Sequence, residues 1–501
     1  MQINNLNSAP VLVVGAGIMG VGIAQVAAQA GHSVMLLDAR SGAAEAAKAR
    51  LAQSLEALAS KGKISAEAAS QTLARIAPLA TVADASTARL VVEAIVENLD
   101  AKRSLFQQLE SVVDTDCILA TNTSSISVTA IANGLLHPGR LVGMHFFNPV
   151  PLMKLVEVVS GLQTDAAVAE AIFVLSGQWG KMPVHARSTP GFIVNRIARP
   201  YYAESLALLQ EQATTPTVLD ACWRGAGFRM GPCELMDLIG HDTNFAVTQS
   251  VFEANFFDKR YAPSLVQREM VDGGLLGRKS GQGFFSYGPD VAKPTATSLA
   301  VPAFPSVRVL HLHGQGAVAE RLAEALTAAG QTFAHTLDSD WVGLELDRHY
   351  LRLTDGRAAS SFGPQTAVFD LPLRAQPGAA LAWAPSGGAS SEWVARVLQC
   401  LQALGFDARQ VADVPGLVVA RTVAMLINEA SDAVHQGVCT AQGADDAMQL
   451  GVNYPAGPFQ WLAHWGAPAV VQVLDHLDDH YRGERYRVSP GLRHRVWQHV
   501  A

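Results

Sequence analysis

The chain of 501 residues has few cysteines, no excess of positive charge and no long apolar run. Its five cysteines include no CxxC pair, and their odd number and wide spacing predict reduced thiols in a cytoplasmic protein. The net charge of −7 argues against a general nucleic-acid binder. No apolar stretch reaches the roughly 18 residues of a membrane helix, and the N-terminus lacks the basic segment of a signal peptide, so we expect neither. No metal site is predicted.

Length and composition indicate a globular protein with several domains. Hydrophobic residues make up 49% of the chain and charged residues 16%, proportions that are usual for a soluble globular enzyme. Because one hydrophobic core stops growing at about 250–300 residues, a chain of this length predicts two to four domains.

A glycine-rich turn opens the first domain. An apolar strand ends at Val14, the sequence Gly-Ala-Gly-Ile-Met-Gly follows, and a helical pattern then runs to Ala30. The first glycine permits a tight turn, the second lets the backbone approach a pyrophosphate, and the third lets the helix pack on the strand. The helix N-terminus offers free N–H groups to the phosphates. We therefore predict dinucleotide contacts at Gly15, Gly17, Ile18, Met19 and Gly20.

The end of the next strand indicates which dinucleotide is bound. Asp38 ends that strand, where a carboxylate can bind both ribose hydroxyls and would repel a 2′-phosphate. This favours NAD as the cofactor. Arg40 follows closely enough to leave NADP open.

Polar residues also follow three later apolar strands. Glu97 lies beyond one strand, Asn122 and Ser124 lie beyond the next, and His145 ends a third. Because ligands bind at the carboxyl ends of strands in open α/β sheets, these side chains should line one crevice. Taken alone, the segment 121–125 could be a helix cap. Polar groups at the ends of four successive strands favour the crevice.

A histidine and a carboxylate on neighbouring apolar strands indicate the chemistry. Glu157 shares a strand face with two apolar residues, where a buried charge is costly unless something pairs with it. His145 lies across a short Asn-Pro connection, and a paired imidazole and carboxylate form a general base with its orienting partner. The alternative is an edge strand with Glu157 in water and His145 in the core. Asn195 follows a Pro-Gly helix start, where its amide could instead be solvated or capping.

The segment 41–75 has the pattern of a helical hairpin that carries several basic residues. These could form a solvated helix face or a basic wall for the phosphates of a large anionic substrate. The basic residues are Lys48, Arg50, Lys61 and Lys63.

The second half of the chain resembles an eroded copy of the first. After a linker at 288–305, a strand and a GxGxxA turn at Gly314–Ala319 repeat the opening pattern. Pro415–Arg421 parallels Pro190–Arg196 at an offset of 225, with Ala420 in place of Asn195. The interval before Pro415 is much shorter, and we expect the lost part to include the Thr-Asn-Thr-Ser-Ser and His-Phe-Phe-Asn-Pro segments. We predict a structural second copy, with residual nucleotide binding as the alternative.

In their order along the chain, these motifs resemble those of the L-3-hydroxyacyl-CoA dehydrogenase family between Val11 and Tyr287. They are GAGIMG, ENLDAK, TNTSS, HFFNPV, KLVEV, PGFIVNR and GRKSGQGFF. The resemblance implies an α/β Rossmann-type NAD-binding domain, an all-α C-terminal domain and a shortened second copy of the pair. The corresponding ranges are 1–188 and 189–287 for the first pair, 288–305 for the linker, and 306–395 and 396–501 for the second pair.

The resemblance also implies roles for individual residues. His145 would be the catalytic base, Glu157 its partner, and Ser124 and Asn195 substrate-orienting groups. Oxidation of a secondary alcohol requires a proton to leave oxygen while a hydride leaves carbon, which suits an imidazole beside NAD. The implied cofactor contacts are Glu97, Lys102, Asn148 and Lys279, with Asn122 in the same crevice, and the implied coenzyme A contacts are Ser54 and Lys61.

The implied activity is oxidation of (S)-3-hydroxyacyl-CoA to 3-oxoacyl-CoA. The two-repeat form resembles family members of phenylacetate breakdown, which implies 3-hydroxyadipyl-CoA as substrate, with 3-hydroxybutyryl-CoA as the alternative. A dehydrogenase for a 3-hydroxy acid without coenzyme A and a non-enzymatic NAD-binding protein remain as rivals. Because the helical domain forms the dimer contact in short members, the two helical repeats are expected to pair within one chain, and a further homodimer stays open.

Overall fold

A computed structural model describes residues 6–288, 301–374 and 376–499. Most of the linker predicted at 288–305 lies outside these ranges. Among the described residues, no helix is both long enough and apolar enough to span a membrane.

The chain divides into two compact units. Unit 1 contains the chain up to Arg196 together with Gln436–Val452. Unit 2 contains Ile197–His435 and the chain from Asn453 onward.

Unit 1 is built on an eight-stranded sheet in the order β3-β2-β1-β4-β5-β6-β7-β8. The first six strands are parallel to one another, and β7 and β8 run in the opposite direction. Apolar strands that are buried on both faces produce this pattern, since helices cover a parallel sheet. The strands are β1 (Val11–Val14), β2 (Val34–Leu37), β3 (Ile76–Pro78), β4 (Leu90–Glu93), β5 (Ile118–Thr121), β6 (Leu141–Phe146), β7 (Leu155–Ser160) and β8 (Met182–Arg187).

The helices of this part of the chain connect the strands and begin at recognisable caps. Ser65, Asn98 and Ser127 each accept a backbone N–H at a helix start. The helices are α1 (Ile18–Gln29), α2 (Ala43–Ser60), α3 (Ala66–Ala74), α4 (Leu99–Glu110), α5 (Val128–Ala132), α6 (Ala166–Gln178) and α7 (Val194–Ile197). The predicted Rossmann-type domain and its helical hairpin at 41–75 are therefore present.

Unit 2 begins with the first helical repeat. Its helices are α8 (Arg199–Gln210), α9 (Pro216–Gly225), α10 (Pro232–Ile239), α11 (His241–Ala254) and α12 (Leu265–Asp272).

The second sheet, also in unit 2, has seven strands in the order β10-β9-β11-β12-β13-β14-β15. Its strands are β9 (Leu310–His313), β10 (Ala334–Thr336), β11 (Gly343–Leu346), β12 (His349–Leu353), β13 (Thr366–Phe369), β14 (Ala380–Pro385) and β15 (Asp407–Gln410), and its helices are α13 (Ala317–Ala328) and α14 (Ser391–Ala403). Parallel crossovers lie at both ends of this sheet, formed by β9, α13 and β10 and by β14, α14 and β15. The departure from the Rossmann pattern is in the middle, where β11 pairs antiparallel with β9. The predicted boundary at 395 falls inside α14, and the sheet continues to Gln410.

The second helical repeat closes the chain. Its helices are α15 (Val419–His435), α16 (Ala441–Gly451), α17 (Pro458–Trp465), α18 (Ala467–Tyr481) and α19 (Pro490–His499). Within unit 2, α15 packs against α8 of the first repeat, and the buried Arg421 donates to the buried Glu204 at 2.6 Å. This is the contact expected between the two helical repeats.

The offset of 225 extends further back than the sequence analysis predicts. The ranges of β7 and α6, shifted by 225, are those of β14 and α14, and the start of β6 shifts to the start of β13. The expectation that the deletion removed the His-Phe-Phe-Asn-Pro segment is therefore wrong. Asp370 occupies the position of His145, and Ala382 that of Glu157. Among the described residues, four strands precede β13, one fewer than the five that precede β6.

One helix of each repeat packs on the sheet of the other repeat. In unit 1, α16 lies on β7 and β8, and a Cβ added to Gly451 would meet Leu155 at 2.6 Å. In unit 2, α9 lies on β14, and a Cβ added to Gly225 would meet the Ala380 carbonyl at 2.4 Å. Both close approaches depend on the missing side chain of a glycine.

Candidate active site

The glycine turn after β1 has the geometry that a dinucleotide requires. Gly15 has a φ of +108°, and a Cβ on it would lie 2.4 Å from the Ala94 carbonyl oxygen. A Cβ on Gly20 would lie 1.7 Å from the carbonyl oxygen of Gly15, so α1 approaches the turn only because residue 20 is glycine. A Cβ on Gly17 meets no atom within 4 Å, which leaves open space beside the backbone. This is where a pyrophosphate would fit, at the N-terminus of α1.

The start of α1 is open to a ligand. No side chain caps this helix at Gly17, and the Ile18 side chain is 79% exposed, with Met19 half-buried behind it. The first N–H groups of the helix are thus available to an anion.

Asp38 closes the nucleotide end of the crevice. Its Oδ2 accepts the Ala16 N–H at 2.8 Å, and its Oδ1 accepts the Arg40 N–H at 3.0 Å and the Arg40 Nε at 3.1 Å. Burial raises the pKa of Asp38, but the hydrogen bonds from Arg40 and Ala16 outweigh it and hold the pKa below its ordinary value. An ionised carboxylate at this position suits ribose hydroxyls and disfavours a 2′-phosphate.

The Glu97 carboxylate accepts several hydrogen bonds from the residues that follow β5. Its Oε1 accepts the Thr123 hydroxyl at 2.6 Å and the backbone N–H groups of Ser124 at 3.0 Å and Ser125 at 3.1 Å. Burial raises the pKa of Glu97, yet the charge of Lys102 and the hydrogen bonds from Thr123 and Ser124 lower the pKa below its ordinary value overall. The segment 121–125 is therefore organised around a carboxylate.

Lys102 lies beneath this carboxylate. Only 1% of its surface is exposed, and its Nζ lies 2.6 Å from Glu93 Oε1 and 3.2 Å from Glu97 Oε2. Glu93 is fully buried and also accepts the Ile95 N–H at 2.7 Å and the Thr121 hydroxyl at 2.7 Å. With its ammonium held between two carboxylates, Lys102 supports Glu97 from below, and its predicted contact with the cofactor stays a prediction.

His145 and Glu157 form the pair that the sequence predicts. They lie directly opposite each other where β6 and β7 pair, and His145 Nδ1 is 2.5 Å from Glu157 Oε2. The other oxygen, Oε1, accepts the backbone N–H groups of Ile193 at 3.0 Å and Val194 at 2.9 Å. An ionised Glu157 can accept at both oxygens, and an imidazole that donates from Nδ1 to Oε2 keeps the lone pair of Nε2 for a proton. Glu157 is 0% and His145 5% exposed, which excludes the alternative of a solvated edge strand.

Two aromatic rings enclose the imidazole. The ring centroids of Phe147 and Phe192 lie 4.6 Å and 5.8 Å from that of His145. Phe192 has a φ of +47°, directly before the helix that holds Glu157. The turn at Phe192 thus positions both the Phe192 ring beside His145 and the Ile193 and Val194 N–H groups that donate to Glu157.

Asn195, Ser124 and Asn122 connect this pair to the neighbouring strand. Asn195 Nδ2 donates to the Ser124 carbonyl at 3.4 Å, so the amide and the serine predicted to orient the substrate are adjacent. Asn122 Oδ1 accepts the Phe146 N–H at 2.9 Å, which fixes the end of β6 against the end of β5. The crevice predicted from strand ends therefore brings together Asn122, Ser124, His145, Glu157 and Asn195 in unit 1.

Four other predicted site residues have no measured contact with this group. Ser54 and Lys61 are exposed on and at the end of α2, and Asn148 is exposed beyond β6. Lys279 belongs to unit 2, where its ammonium pairs with Asp242. Their assignments to coenzyme A and the cofactor stay predictions.

Sequence reasoning missed Glu93 and the backbone N–H groups of Ile193 and Val194. The signal for Glu93 was present, because it is a carboxylate within an apolar strand, as Glu157 is. The two backbone donors carry no sequence signal of their own beyond the Pro-Gly pair that precedes them.

Two domains of one known protein family match this chain. The NAD-binding domain of 3-hydroxyacyl-CoA dehydrogenase matches residues 10–189, and the C-terminal domain of 3-hydroxyacyl-CoA dehydrogenase matches twice, at 191–287 and 416–499. The chain belongs to the 3-hydroxyacyl-CoA dehydrogenase family. Its first domain is the NAD-binding domain of an oxidoreductase, as predicted. The segment 351–415 matches the reduced Rossmann-fold domain of 3-hydroxybutyryl-CoA dehydrogenase, which agrees with a shortened second copy.

Full-length and short relatives both occur. The chain is 42% identical to the 3-hydroxyadipyl-CoA dehydrogenase of Escherichia coli K12 over 98% of both proteins. A crystal structure titled 3-hydroxybutyryl-CoA dehydrogenase from E. coli K12 covers 98% of this chain with a TM-score of 0.89 and 42% identity. The human mitochondrial hydroxyacyl-coenzyme A dehydrogenase is 39% identical over 55% of this chain and 90% of its own length. The short relatives thus match little more than half of this chain.

Proposed function

We propose that this family member oxidises the 3-hydroxyl group of (S)-3-hydroxyacyl-CoA to the 3-oxo group with NAD, and that 3-hydroxyadipyl-CoA is its preferred substrate. The observation that carries the proposal is the buried hydrogen bond between His145 and Glu157 at the end of β6. A rigid, correctly protonated imidazole is what removal of a hydroxyl proton needs, and a non-enzymatic NAD-binding protein has no use for it.

His145 supplies the base. Its neutral Nε2 accepts the proton of the substrate hydroxyl, while Nδ1 continues to donate to Glu157. The imidazolium that forms is stabilised by the carboxylate, whose second oxygen is held by two backbone N–H groups. The three hydrogen bonds keep the ring in one orientation, so little reorganisation accompanies the proton transfer.

Ser124 and Asn195 orient the substrate. The Ser124 hydroxyl can donate to the reacting oxygen, and the Asn195 amide can donate to the thioester carbonyl. NAD, when bound along the glycine turn and Asp38, supplies the hydride acceptor. Both side chains are half-buried, and the hydrogen bond to the backbone carbonyl of Ser124 restricts the motion of the Asn195 amide.

The length of the acyl group is the finer part of the proposal. The full-length relative is named for 3-hydroxyadipyl-CoA, and the full-length crystal structure for 3-hydroxybutyryl-CoA. We favour the adipyl thioester because a relative covering 98% of this chain carries that name, whereas the relatives that cover 55% of it are named for 3-hydroxybutyryl-CoA or for hydroxyacyl-coenzyme A in general.

A panel of 3-hydroxyacyl thioesters tests the proposal. We would measure kcat/KM with NAD for acyl groups of four to eight carbons, each with and without a terminal carboxylate. The proposal predicts the highest value for 3-hydroxyadipyl-CoA and a large loss for the six-carbon ester without the carboxylate. A maximum of kcat/KM at 3-hydroxybutyryl-CoA would refute the proposed acyl group and leave the proposed reaction standing. The absence of NADH formation from every thioester would refute the reaction itself.

The coenzyme A contacts need a separate test. We propose that Lys61, exposed at the end of α2, binds a phosphate of coenzyme A. Lys61→Ala should raise KM for the coenzyme A thioester and leave KM for the matching pantetheine thioester unchanged, since the latter lacks the nucleotide phosphates. Lys63→Ala, two residues away and equally exposed, is the control. A similar rise in KM for both thioesters would contradict this role.

A further inference from the structure

The second sheet carries three potential metal ligands on one face. His311 and His313 are two residues apart on β9 and therefore point to the same side, while Leu310 and Leu312 point to the other side and are buried in the core. Glu345 on β11 lies directly opposite His311 in the antiparallel pairing of the two strands. The side chains of the His311–His313–Glu345 cluster thus project from adjacent positions of a rigid sheet.

The ligand atoms of the cluster are close enough to share one ion. One atom from each side chain lies within 4.8 Å of the other two, and His313 Nε2 is 3.4 Å from Glu345 Oε2. Ligand atoms around a tetrahedral zinc ion lie about 3.3–3.5 Å apart. Three-ligand binding therefore requires the wider separations, which are at most 4.8 Å, to close by no more than about 1.5 Å.

His313 is poorly explained as an ordinary core histidine. Among the described residues, its buried Nδ1 has no hydrogen-bond partner, and its ring stacks on Trp341 at 4.2 Å between centroids. Arg352, whose guanidinium lies 4.4 Å from the centroid of Trp341, adds a positive charge nearby that Glu345 offsets.

The first repeat shows that the fold does not require these side chains. Alignment of the two glycine turns places Leu12 and Val14 at the positions of His311 and His313. Both are buried in unit 1, whereas the two histidines are half-buried. Two imidazoles thus replace two apolar side chains at the same positions of the strand.

We propose that His311, His313 and Glu345 bind one divalent transition-metal ion, of which Zn²⁺ is the representative. The donor set of two imidazole nitrogens and one carboxylate oxygen is the one that zinc accepts with a fourth position open to water. The ion joins β9 to β11, the strand whose antiparallel direction departs from the Rossmann pattern. Because it binds the folded sheet and not the unfolded chain, it stabilises unit 2.

The test uses the full chain after removal of metal with EDTA. Zinc chloride is titrated by calorimetry, and the bound metal is counted by mass spectrometry after gel filtration. The proposal predicts one tight equivalent for the wild type and a loss of affinity on the order of tenfold or more for His313→Ala and for Glu345→Gln. It also predicts that zinc raises the Tm of the wild type and not that of either variant.

His335→Ala is the matched control. His335 lies on β10, the other neighbour of β9, is exposed and is outside the cluster. It should retain the tight equivalent. Equal binding by the wild type and by both cluster variants would mean adventitious binding at other histidines and overturn the proposal, as would the absence of a tight equivalent. If His313→Ala does not fold, Glu345→Gln, which preserves shape, decides the question through the visible spectrum of bound Co²⁺.

Discussion

The two repeats solve the same structural problem with different residues. In each, a Pro-Gly turn with a left-handed residue, Phe192 or Leu417, starts a buried helix whose first N–H groups need an acceptor. In the first repeat Glu157 provides it from β7 with one oxygen, and its other oxygen holds His145. In the second repeat Asp370, at the histidine position, provides it with both oxygens.

This difference shows which groups the start of the helix requires and which groups only the reaction requires. Asp370 Oδ2 accepts the N–H groups of Val418 and Val419, and Oδ1 accepts that of Ala420. No oxygen is left to orient a base, and Ala382 stands where Glu157 would be. The helix start therefore keeps its carboxylate, while the histidine and the amide of the first repeat have both been replaced. A carboxylate at this point is required by the fold, and the base beside it only by the reaction.

The largest expected effect comes from removing the base of the first repeat. His145→Gln should reduce kcat by about 10²–10⁴, because an amide cannot take the hydroxyl proton. NAD affinity, measured by fluorescence titration, should be unchanged, since the glycine turn and Asp38 are untouched. A variant with more than half of the wild-type kcat would show that another group is the base.

A second prediction concerns the buried ion pair of Lys102 and Glu93 in the first repeat. Lys102→Met leaves Glu93 buried without its partner and should reduce the free energy of unfolding by about 3–5 kcal/mol in urea denaturation. It should also raise KM for NAD, because Glu97 loses a supporting charge. Arg268→Met, which removes an exposed ion pair with Asp272, is the control and should cost at most about 1 kcal/mol. Equal losses in both variants would contradict this account.

The third prediction removes the carboxylate oxygen of Glu157 that orients His145, so that, as in the second repeat, the side chain serves only the start of the helix. Glu157→Gln keeps an acceptor for the helix but presents an amide that competes with His145 Nδ1 as a donor. We expect kcat to fall by roughly 10²-fold, from loss of the correct tautomer, with KM little changed. Asp370→Asn is the matched change in the second repeat and should leave kcat within about twofold. A similar loss of kcat in both variants would assign catalysis to both repeats.

The smallest effect is a pH dependence specific to Asp370. Burial raises its pKa to about 6, despite four backbone hydrogen bonds that lower it, whereas an unfolded aspartate titrates near 3.8. Between these values the folded protein binds more protons than the unfolded one, so stability falls as pH rises from about 4 to 6. Asp370→Asn should remove about 1–3 kcal/mol of this decline. Unfolding free energies that change in parallel with pH in both proteins would rule out this titration.

Much of the site could be predicted from the sequence because its signals are local or chemically expensive. Gly15 is favoured by its φ of +108° and Gly20 is required by its contact with the Gly15 carbonyl five residues before it. Glu157 is conspicuous because a carboxylate in an apolar strand needs a partner. The interpretation of the second copy was less successful. It placed the deletion across the histidine segment, because an aspartate at position 370 gives no sign in the sequence that it corresponds to His145. The correspondence is seen only from the positions of the paired strands.

The amino-acid sequence by itself determined the nucleotide turn, the His145–Glu157 pair, the duplication and the family, since each rests on short-range backbone constraints or on residue types that few environments tolerate. The tertiary structure alone decided that Asp370 occupies the histidine position, that α16 covers β7 and β8 while α9 covers β14, and that β11 brings Glu345 to His311. These relations depend on register and packing between segments far apart in the chain. Such contacts are set by the sum of many weak interactions, which no short stretch of sequence encodes.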